Sequence, residues 1–531
     1  MFMAFLDIEK AYDRLNRKTL LIVLEKLGIP VKIRNLIKGM YENTKSKFIF
    51  GDIVTDWVNL QKGLRQGFVL SPLLFNMYTE ELIRRVKKEN IGMKVGEDKL
   101  GVLLYADDIV LIAEEEEMMQ KIVDIAVDYS REFSLKFSIN KCGVMVINGE
   151  SEDGKNIKMG NEILNRVNKY NYLGVIFDEM GASGAKNNRI FRANQWWGRL
   201  CSTSKFRANG YEVTRGIWKS IAVPSLMYGM DVVPWSLSEV KKMDTIQNKI
   251  GRLALGANKF VGVEAIRGEM GWSTFDERYM KGKLKYKVRI EKMEENRWVK
   301  KICREAGNKS NWMRNCAGIV NKGGLARVWI SRPDGRNEWN LRYNVGDNNI
   351  YDTDKWGTLI NTRIKEYGLE LWKRGIEGKR TLLLYGRKGN PHKEDFYDGS
   401  WGSSLLFKAR SGSLELNERT YRFNEGGSKD CVHGCVLNGG VAVESIQHIM
   451  TECNGYTEIM NWAINEYSQV LGVDNFREIT LRGDDDQGMG FFLGLGENIP
   501  RDVVEITKKY LGLLWSARQA KIDQGPVAPN E

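Results

Sequence analysis

Two carboxylates stand side by side at Asp107-Asp108, between the apolar runs Val102-Leu103-Leu104 and Ile109-Val110-Leu111-Ile112. Runs of that kind form strands, so the pair falls at a hairpin turn. Turns ordinarily take Gly, Asn or Pro. Adjacent like charges repel and resist desolvation unless a divalent cation lies between them. Mg²⁺ binds through one or two carboxylates plus substrate phosphates, which suits phosphoryl transfer. Taken alone, the doublet is explained equally well as the solvated tip of a hairpin. A third carboxylate, Asp7, follows the apolar run of residues 1–6. At the end of a buried strand it can enter the same pocket. Three carboxylates can hold two metal ions for in-line attack of a hydroxyl on a phosphate.

A second set of residues is suited to metal of another kind. Cys431-x3-Cys435-x12-His448-x4-Cys453 offers soft ligands at spacings that allow one closed tetrahedral zinc site. Such a site is structural and stabilises a small domain. Three of the seven cysteines and two of the three histidines fall in this window, which argues against scattered buried thiols. His433 is an alternative ligand inside the first cysteine pair.

The elements that must position these groups follow from periodicity. Residues 1–6 read as a strand. A helix with Leu20, Leu24 and Leu27 on one face stops at Gly28-Ile29-Pro30. A second helix spans residues 31–41, and a hairpin turns at Gly51-Asp52. Gly63 and Gly67 permit close backbone approach, and Arg65 and Gln66 carry donors for phosphate and base contacts. Ser71-Pro72 starts a helix that runs to about Lys88. Met118, Ile122, Ile125, Tyr129 and Phe133 mark the core face of another. Together residues 1–180 give an α+β layer, an antiparallel sheet with helices on one face.

Three motifs in this order carry a resemblance: Phe5-Leu6-Asp7-Ile8-Glu9-Lys10-Ala11-Tyr12-Asp13, then Gly63-Leu64-Arg65-Gln66-Gly67 through Asn76, then Tyr105-Ala106-Asp107-Asp108. The chain resembles a reverse transcriptase of the non-LTR (LINE-type) retrotransposons. The resemblance implies a right-hand polymerase palm with Asp7, Asp107 and Asp108 as the Mg²⁺-binding triad. It places Tyr12 at the steric gate against a ribonucleotide 2′-OH, and Arg65, Gln66, Gly67 and Tyr105 beside template and incoming nucleotide. Lys141 matches a lysine near the leaving pyrophosphate, a general acid by position. Tyr172-Leu173-Gly174 matches the primer grip. The C-terminal cysteine cluster resembles the zinc-binding region of the same proteins, which commonly separate the first pair by two residues where three intervene here. The implied partners are an RNA template, a DNA primer and dNTPs. The chain begins inside the first palm strand, so the resemblance implies that fingers and endonuclease regions are lacking.

The chain has 531 residues, enough for roughly two to four domains. We expect a palm over 1–180, a helical thumb over 181–300, a connector over 301–400 and a zinc-binding domain over 401–531. Lys and Arg number 80 against 68 acidic residues, a formal net charge of +12 that suits a polyanionic partner. The basic run of residues 281–289 is a candidate phosphate track, with Tyr286 placed to stack on a base, or a solvated helix face. Scattered cysteines argue against a secreted disulfide scaffold. No apolar run approaches bilayer length, and no signal peptide is visible. These features predict an intracellular protein without a membrane partner, and the resemblance implies a nuclear one. Two functions stay open: an RNA-directed DNA polymerase, and a catalytically silent remnant that only binds nucleic acid.

Overall fold

A computed structural model describes residues 1–149, 154, 156–181, 183–203, 209–324, 329–331, 339–341, 353–422, 427–437, 439–481, 485–496 and 498–524. The tail 525–531, expected to be disordered, lies outside them. The chain divides into two compact units, Met1–Asn188 with Lys292–Ser310, and Arg189–Glu291 with Asn311–Glu531.

The first unit runs β1 (Phe2–Asp7), α1 (Ala11–Arg14), α2 (Arg17–Lys26), α3 (Val31–Tyr41), the short strands β2 (Lys45–Ser46), β3 (Ile49–Phe50), β4 (Ile53–Val54) and β5 (Val58–Asn59), then α4 (Ser71–Lys88), β6 (Met93–Val95), β7 (Asp98–Leu100), β8 (Val102–Tyr105), β9 (Asp108–Ala113), α5 (Glu116–Glu132), β10 (Gly143–Val146), β11 (Lys158–Met159), β12 (Glu162–Ile163), β13 (Lys169–Tyr172) and β14 (Val175–Asp178), followed by α6 (Ser183–Thr203). Its centre is an antiparallel sheet in the order β10-β1-β9-β8.

Strand period assigns the two faces. Phe2, Ala4, Leu6, Ile109, Leu111, Val144 and Val146 share a core with α4 and α5, whose Phe75, Tyr78, Ile122 and Tyr129 are fully buried. Met3, Phe5, Val110, Ile112 and Met145 face the other way, against Tyr170 and Tyr172 of β13 and Phe177 of β14. Because both faces are covered, β1 and β9 read as unbroken apolar runs rather than alternating ones. Two phenols lock the helices together: the Tyr78 hydroxyl donates to Phe133 O at 2.6 Å and the Tyr129 hydroxyl to Tyr78 O at 3.0 Å. The core face of α5 is turned slightly from the expected one. Met119, Val123 and Ala126 are buried with Ile122 and Tyr129, while Met118 and Ile125 are only half-buried.

The second unit is mainly helical. It contains α7 (Gly210–Ile217), α8 (Val223–Met227), α9 (Leu237–Leu255), α10 (Val263–Met270) and α11 (Phe275–Glu291). After α12 (Trp298–Ala306), which belongs to the first unit, come α13 (Asn311–Lys322), β15 (Trp329–Ser331), β16 (Trp339–Leu341), α14 (Thr353–Ile376), α15 (Trp401–Arg410), α16 (Asn417–Tyr421), β17 (Val436–Leu437), β18 (Gly440–Val441), α17 (Thr457–Leu471), α18 (Val473–Leu481), α19 (Asp485–Phe492) and α20 (Arg501–Asp523). Ser236 and Glu239 form a reciprocal capping box that starts α9, and Gly256 ends it at φ 61°. One hydrophobic cluster among the described residues extends from Ala193 to Leu514. The boundaries expected near 300 and 400 fall inside this division. Helix α12 joins the first unit because Trp298 packs with the β6–β7 hairpin and Lys301 pairs with Asp98.

Arg410 is wholly buried at the centre of the second unit. Its guanidinium donates to Glu269 Oε1 at 3.1 Å, to Glu394 Oε1 at 2.7 Å, and to the carbonyls of Leu493 and Gly494 at 2.9 Å each. Lys388 bonds Glu394, and the Tyr397 hydroxyl donates to Glu269 Oε2 at 2.9 Å. Deleting one member leaves two carboxylates buried with too little countercharge. Arg410→Ala is therefore expected to cost about 3–5 kcal/mol in urea unfolding, whereas Arg374→Ala, which breaks an exposed pair with Glu370, is expected to cost under about 1 kcal/mol.

Candidate functional site

The antiparallel register of β1 and β9 sets Asp7 directly opposite Asp108. On the other side of β9, Tyr105 pairs with Asp108, so Ala106 and Asp107 form a two-residue turn. Ala106 takes φ 53° there, a left-handed conformation that costs a non-glycine residue about 1 kcal/mol or more. The three aspartates thus come from one strand end and one turn. Burial raises the Asp108 carboxyl above the ordinary carboxylate range, and the negative charges of Asp107 and Asp7 raise it further.

A loop fixes Asp7 from behind. The Asp7 backbone N–H donates to Cys142 Sγ at 3.4 Å, its carbonyl accepts from Ser138 N at 2.9 Å, and Lys141 Nζ lies 3.2 Å from its Oδ2. The Lys141 side chain is 69% exposed, so this pair orients an ammonium more than it stabilises the fold. Cys142 is buried, and burial pushes its thiol up to about 11. It therefore stays a neutral acceptor that sets the Asp7 backbone, a contact no sequence pattern announced.

Tyr12 stacks on Phe75 of α4 at 4.9 Å between centroids. Its phenol is raised by burial first and then by the charge of Asp107. Gly63 N donates to Leu15 O and Leu64 N to Tyr12 O, both at 2.8 Å. A Cβ on Gly63 would sit 2.9 Å from Tyr12 O and from Asp13 Cα, so this close approach requires glycine. Gly67 has open space around it and needs its glycine only for φ 80°. Arg65 and Gln66 are exposed; Gln66 donates to Asp13 Oδ1 at 3.3 Å. Arg17, which the sequence reading passed over, anchors the following segment by donating to Leu60 O at 2.6 Å and Gly63 O at 2.9 Å. Tyr105 is exposed at the lip of the turn.

The β13–β14 hairpin turns through Leu173 at φ 49° and Gly174 at φ 74°, two successive positive values as in a type I′ turn. Tyr170 stacks on Phe5 at 4.2 Å, and its hydroxyl donates to Lys141 O at 3.1 Å. Burial pushes the phenols of Tyr170 and Tyr172 up to about 12, with Asp108 adding to both. The hairpin therefore packs beside the carboxylates, tied to the loop that holds Asp7.

The second candidate centre lies in the second unit. The Sγ atoms of Cys431, Cys435 and Cys453 are 3.6–3.7 Å apart, and His448 completes a set whose ligand atoms all lie within 4.8 Å of one another. All four residues are buried. His448 Nδ1 contacts Glu452 Oε2 at 3.2 Å, while its Nε2 is buried without a hydrogen-bond partner. A carboxylate on one ring nitrogen and an orphaned second nitrogen among three sulfurs suit a metal ligand. A hydrogen bond from Cys453 and the His433 N–H hold the Cys431 thiol low. His433 is outside the set: its ring meets Tyr456 edge-on at 4.7 Å and lies against Gly455. The three aspartates do not close into a comparably tight set among the described residues.

Residues 1–177 match the family described as reverse transcriptase (RNA-dependent DNA polymerase). A polyprotein of the type-1 retrotransposable element R2 of Nasonia vitripennis is 31% identical over 198 residues, covering 35% of this chain and 19% of that protein. Residues 1–177 are thus similar to the reverse transcriptases of non-LTR retrotransposons. The R2DM polyprotein of Drosophila melanogaster is 29% identical over 189 residues, 34% of this chain and 18% of that one. The RNA-directed DNA polymerase of the mobile element jockey of Drosophila funebris is 23% identical over 302 residues, 54% of this chain and 32% of that one. The match thus spans about a fifth to a third of these relatives. Telomerase from Candida tropicalis, solved with a fragment of telomeric RNA, aligns with 68% of this chain and 49% of its own at a TM-score of 0.31 and 16% identity.

The reverse transcriptase domain has a pH signature. Asp108 has a folded-state pKa above its unfolded value, so the folded state binds that proton more tightly. Stability is lost as pH rises from the ordinary Asp range through the raised value. Asp108→Asn is expected to raise Tm at neutral pH, with the gain vanishing below roughly pH 4; a scan of Tm against pH reads it.

Proposed function

We propose that the domain is an RNA-directed DNA polymerase that extends a DNA primer on an RNA template with dNTPs. The observation that carries this reading is the register that sets Asp7 against Asp108 with Asp107 at the adjoining turn. Mutually repelling carboxylates suit Mg²⁺, and Asp7, Asp107 and Asp108 are the residues to hold two such ions. When bound, the ions would activate the primer hydroxyl and offset charge on the phosphates. The primer 3′-oxygen bonds to the α-phosphorus as the bond to the bridging oxygen breaks, and pyrophosphate departs. Lys141, held at Asp7, would give that leaving group a proton. Tyr12, stacked on Phe75, would serve as the steric gate against a 2′-OH. Leu173 and Gly174 present the tight turn that would grip the primer end. The site of action follows from the activity and would be nuclear.

A second reading is nucleic-acid binding without synthesis, which the net charge of +12 would serve. Primer extension on an RNA template with Mg²⁺ decides between them. Extension by this chain that falls at least about 100-fold in Asp107→Ala supports the polymerase; binding with no extension above that variant supports the second reading.

The cluster Cys431, Cys435, His448 and Cys453 would hold one structural Zn²⁺. The ion would tie residues 431–435, which lead into β17, to residues 448–453, a segment itself held by the Tyr510 hydroxyl on Met450 O at 2.6 Å. Metal analysis should give about one zinc per chain, and Cys453→Ser should carry far less. Equal zinc in both proteins would refute the site.

A further inference from the structure

The solvent face of α11 is left unused by the reading above. Its basic run is split by the fold. Lys283 is buried, donating to Val233 O at 3.2 Å and to the Tyr279 hydroxyl at 3.1 Å, and Lys287 is buried against Glu291. Tyr286 meets Trp312 edge-on at 6.0 Å, so it is engaged within the unit rather than presented to a base. Lys281, Lys285 and Arg289 remain exposed, one every four residues.

Four residues of helix rise about 6 Å, so these three cations stand in one line about 12 Å long. The carboxylates of α11 are already engaged: Asp276 with Lys322 at 2.5 Å, Glu277 with Arg267 at 2.6 Å, Glu291 with Lys287. Among the described residues no carboxylate forms an ion pair with the exposed three. Asp231 meets the helix at Gly282, beside the row. Partial burial, and then the charge of Lys285, make Lys281 easier to deprotonate, as expected of neighbouring like charges with no acid between them.

Like charges four residues apart destabilise a helix. A polyanion laid along the row removes that cost. We propose that Lys281, Lys285 and Arg289 form a rail for the phosphate backbone of an RNA strand. The spacing of the cations is close to the step between successive phosphates in an A-form strand, the form RNA adopts. An acidic peptide would match the charge but not a uniform step over three positions. The proposal shares the RNA partner with the polymerase reading and needs no synthesis.

The test is binding of a labelled single-stranded RNA to the full chain across a salt series. The triple variant Lys281→Gln, Lys285→Gln, Arg289→Gln should lower the slope of log K against log salt by about 2, three contacts at about 0.7 each. A control triple on exposed cations of α14, Arg363→Gln, Lys373→Gln and Arg374→Gln, should leave the slope near wild type. Lys281→Arg with Lys285→Arg should keep both slope and affinity, which separates charge from folding. The rail is overturned if the α11 triple keeps the wild-type slope, if the control lowers it as much, or if only DNA of the same sequence is affected. No RNA binding by the wild-type chain would overturn the rail and the RNA partner together. RNA binding without extension would remove the polymerase reading and leave the rail standing.

Discussion

The cross-strand pairing of Asp7 with Asp108 is the constraint from which the first unit follows. Like charges directly opposite in an antiparallel ladder are destabilising, and Asp107 adds a third at the turn. Sheet pairing alone would not choose that register. It is imposed by the residues behind the aspartates. Leu6 opposite Ile109, Phe5 opposite Val110, Ala4 opposite Leu111 and Met3 opposite Ile112 are buried on alternating faces. Slipping the ladder by one residue would turn every one of these side chains to the wrong core. The hydrophobic register therefore holds the charges together, and their repulsion is what makes the corner suited to cations.

The second unit handles buried charge in the opposite way. Arg410 and Lys388 answer Glu269 and Glu394 inside the protein, and Arg518 answers Glu444 through two bonds, at 3.0 Å and 2.8 Å. These groups need no outside partner. Charge that a fold neutralises internally is architecture; charge that it concentrates with too little countercharge, as where Lys141 answers one of three aspartates, points to a ligand. The aspartate corner falls in the second class, as do the three cations along α11.

Much of this was legible in sequence because it is local. The Ser71 helix start, the Asp107 turn and the spacing of Cys431, Cys435, His448 and Cys453 depend on a few neighbouring residues. What escaped is long-range. Cys142 reads as any buried thiol until β10 is placed beside β1, where it accepts from Asp7. Arg17 reads as an ordinary helix-start residue until it caps the carbonyls of Leu60 and Gly63. The basic run of α11 reads as one stripe, yet Lys283 and Lys287 are buried, and Lys283 donates to Val233 O, 50 positions away. The buried Glu269–Arg410 network spans 141 positions, a separation at which periodicity carries no information.

Two of the strained backbone positions stand at hairpin tips of the first unit. Ala106 and Leu173 both take left-handed φ values at two-residue turns, where glycine or asparagine would be easier. Glycine would relieve the strain, but it would also widen the set of conformations open to the turn. A side chain in that conformation is retained only where the surroundings over-determine it. Ala106 is bracketed by the β8–β9 ladder, and Leu173 by the ladder whose Tyr170 and Tyr172 press on Phe5. In both places stability yields to a fixed geometry, and at Ala106 that geometry carries the charge that the sheet register assembles.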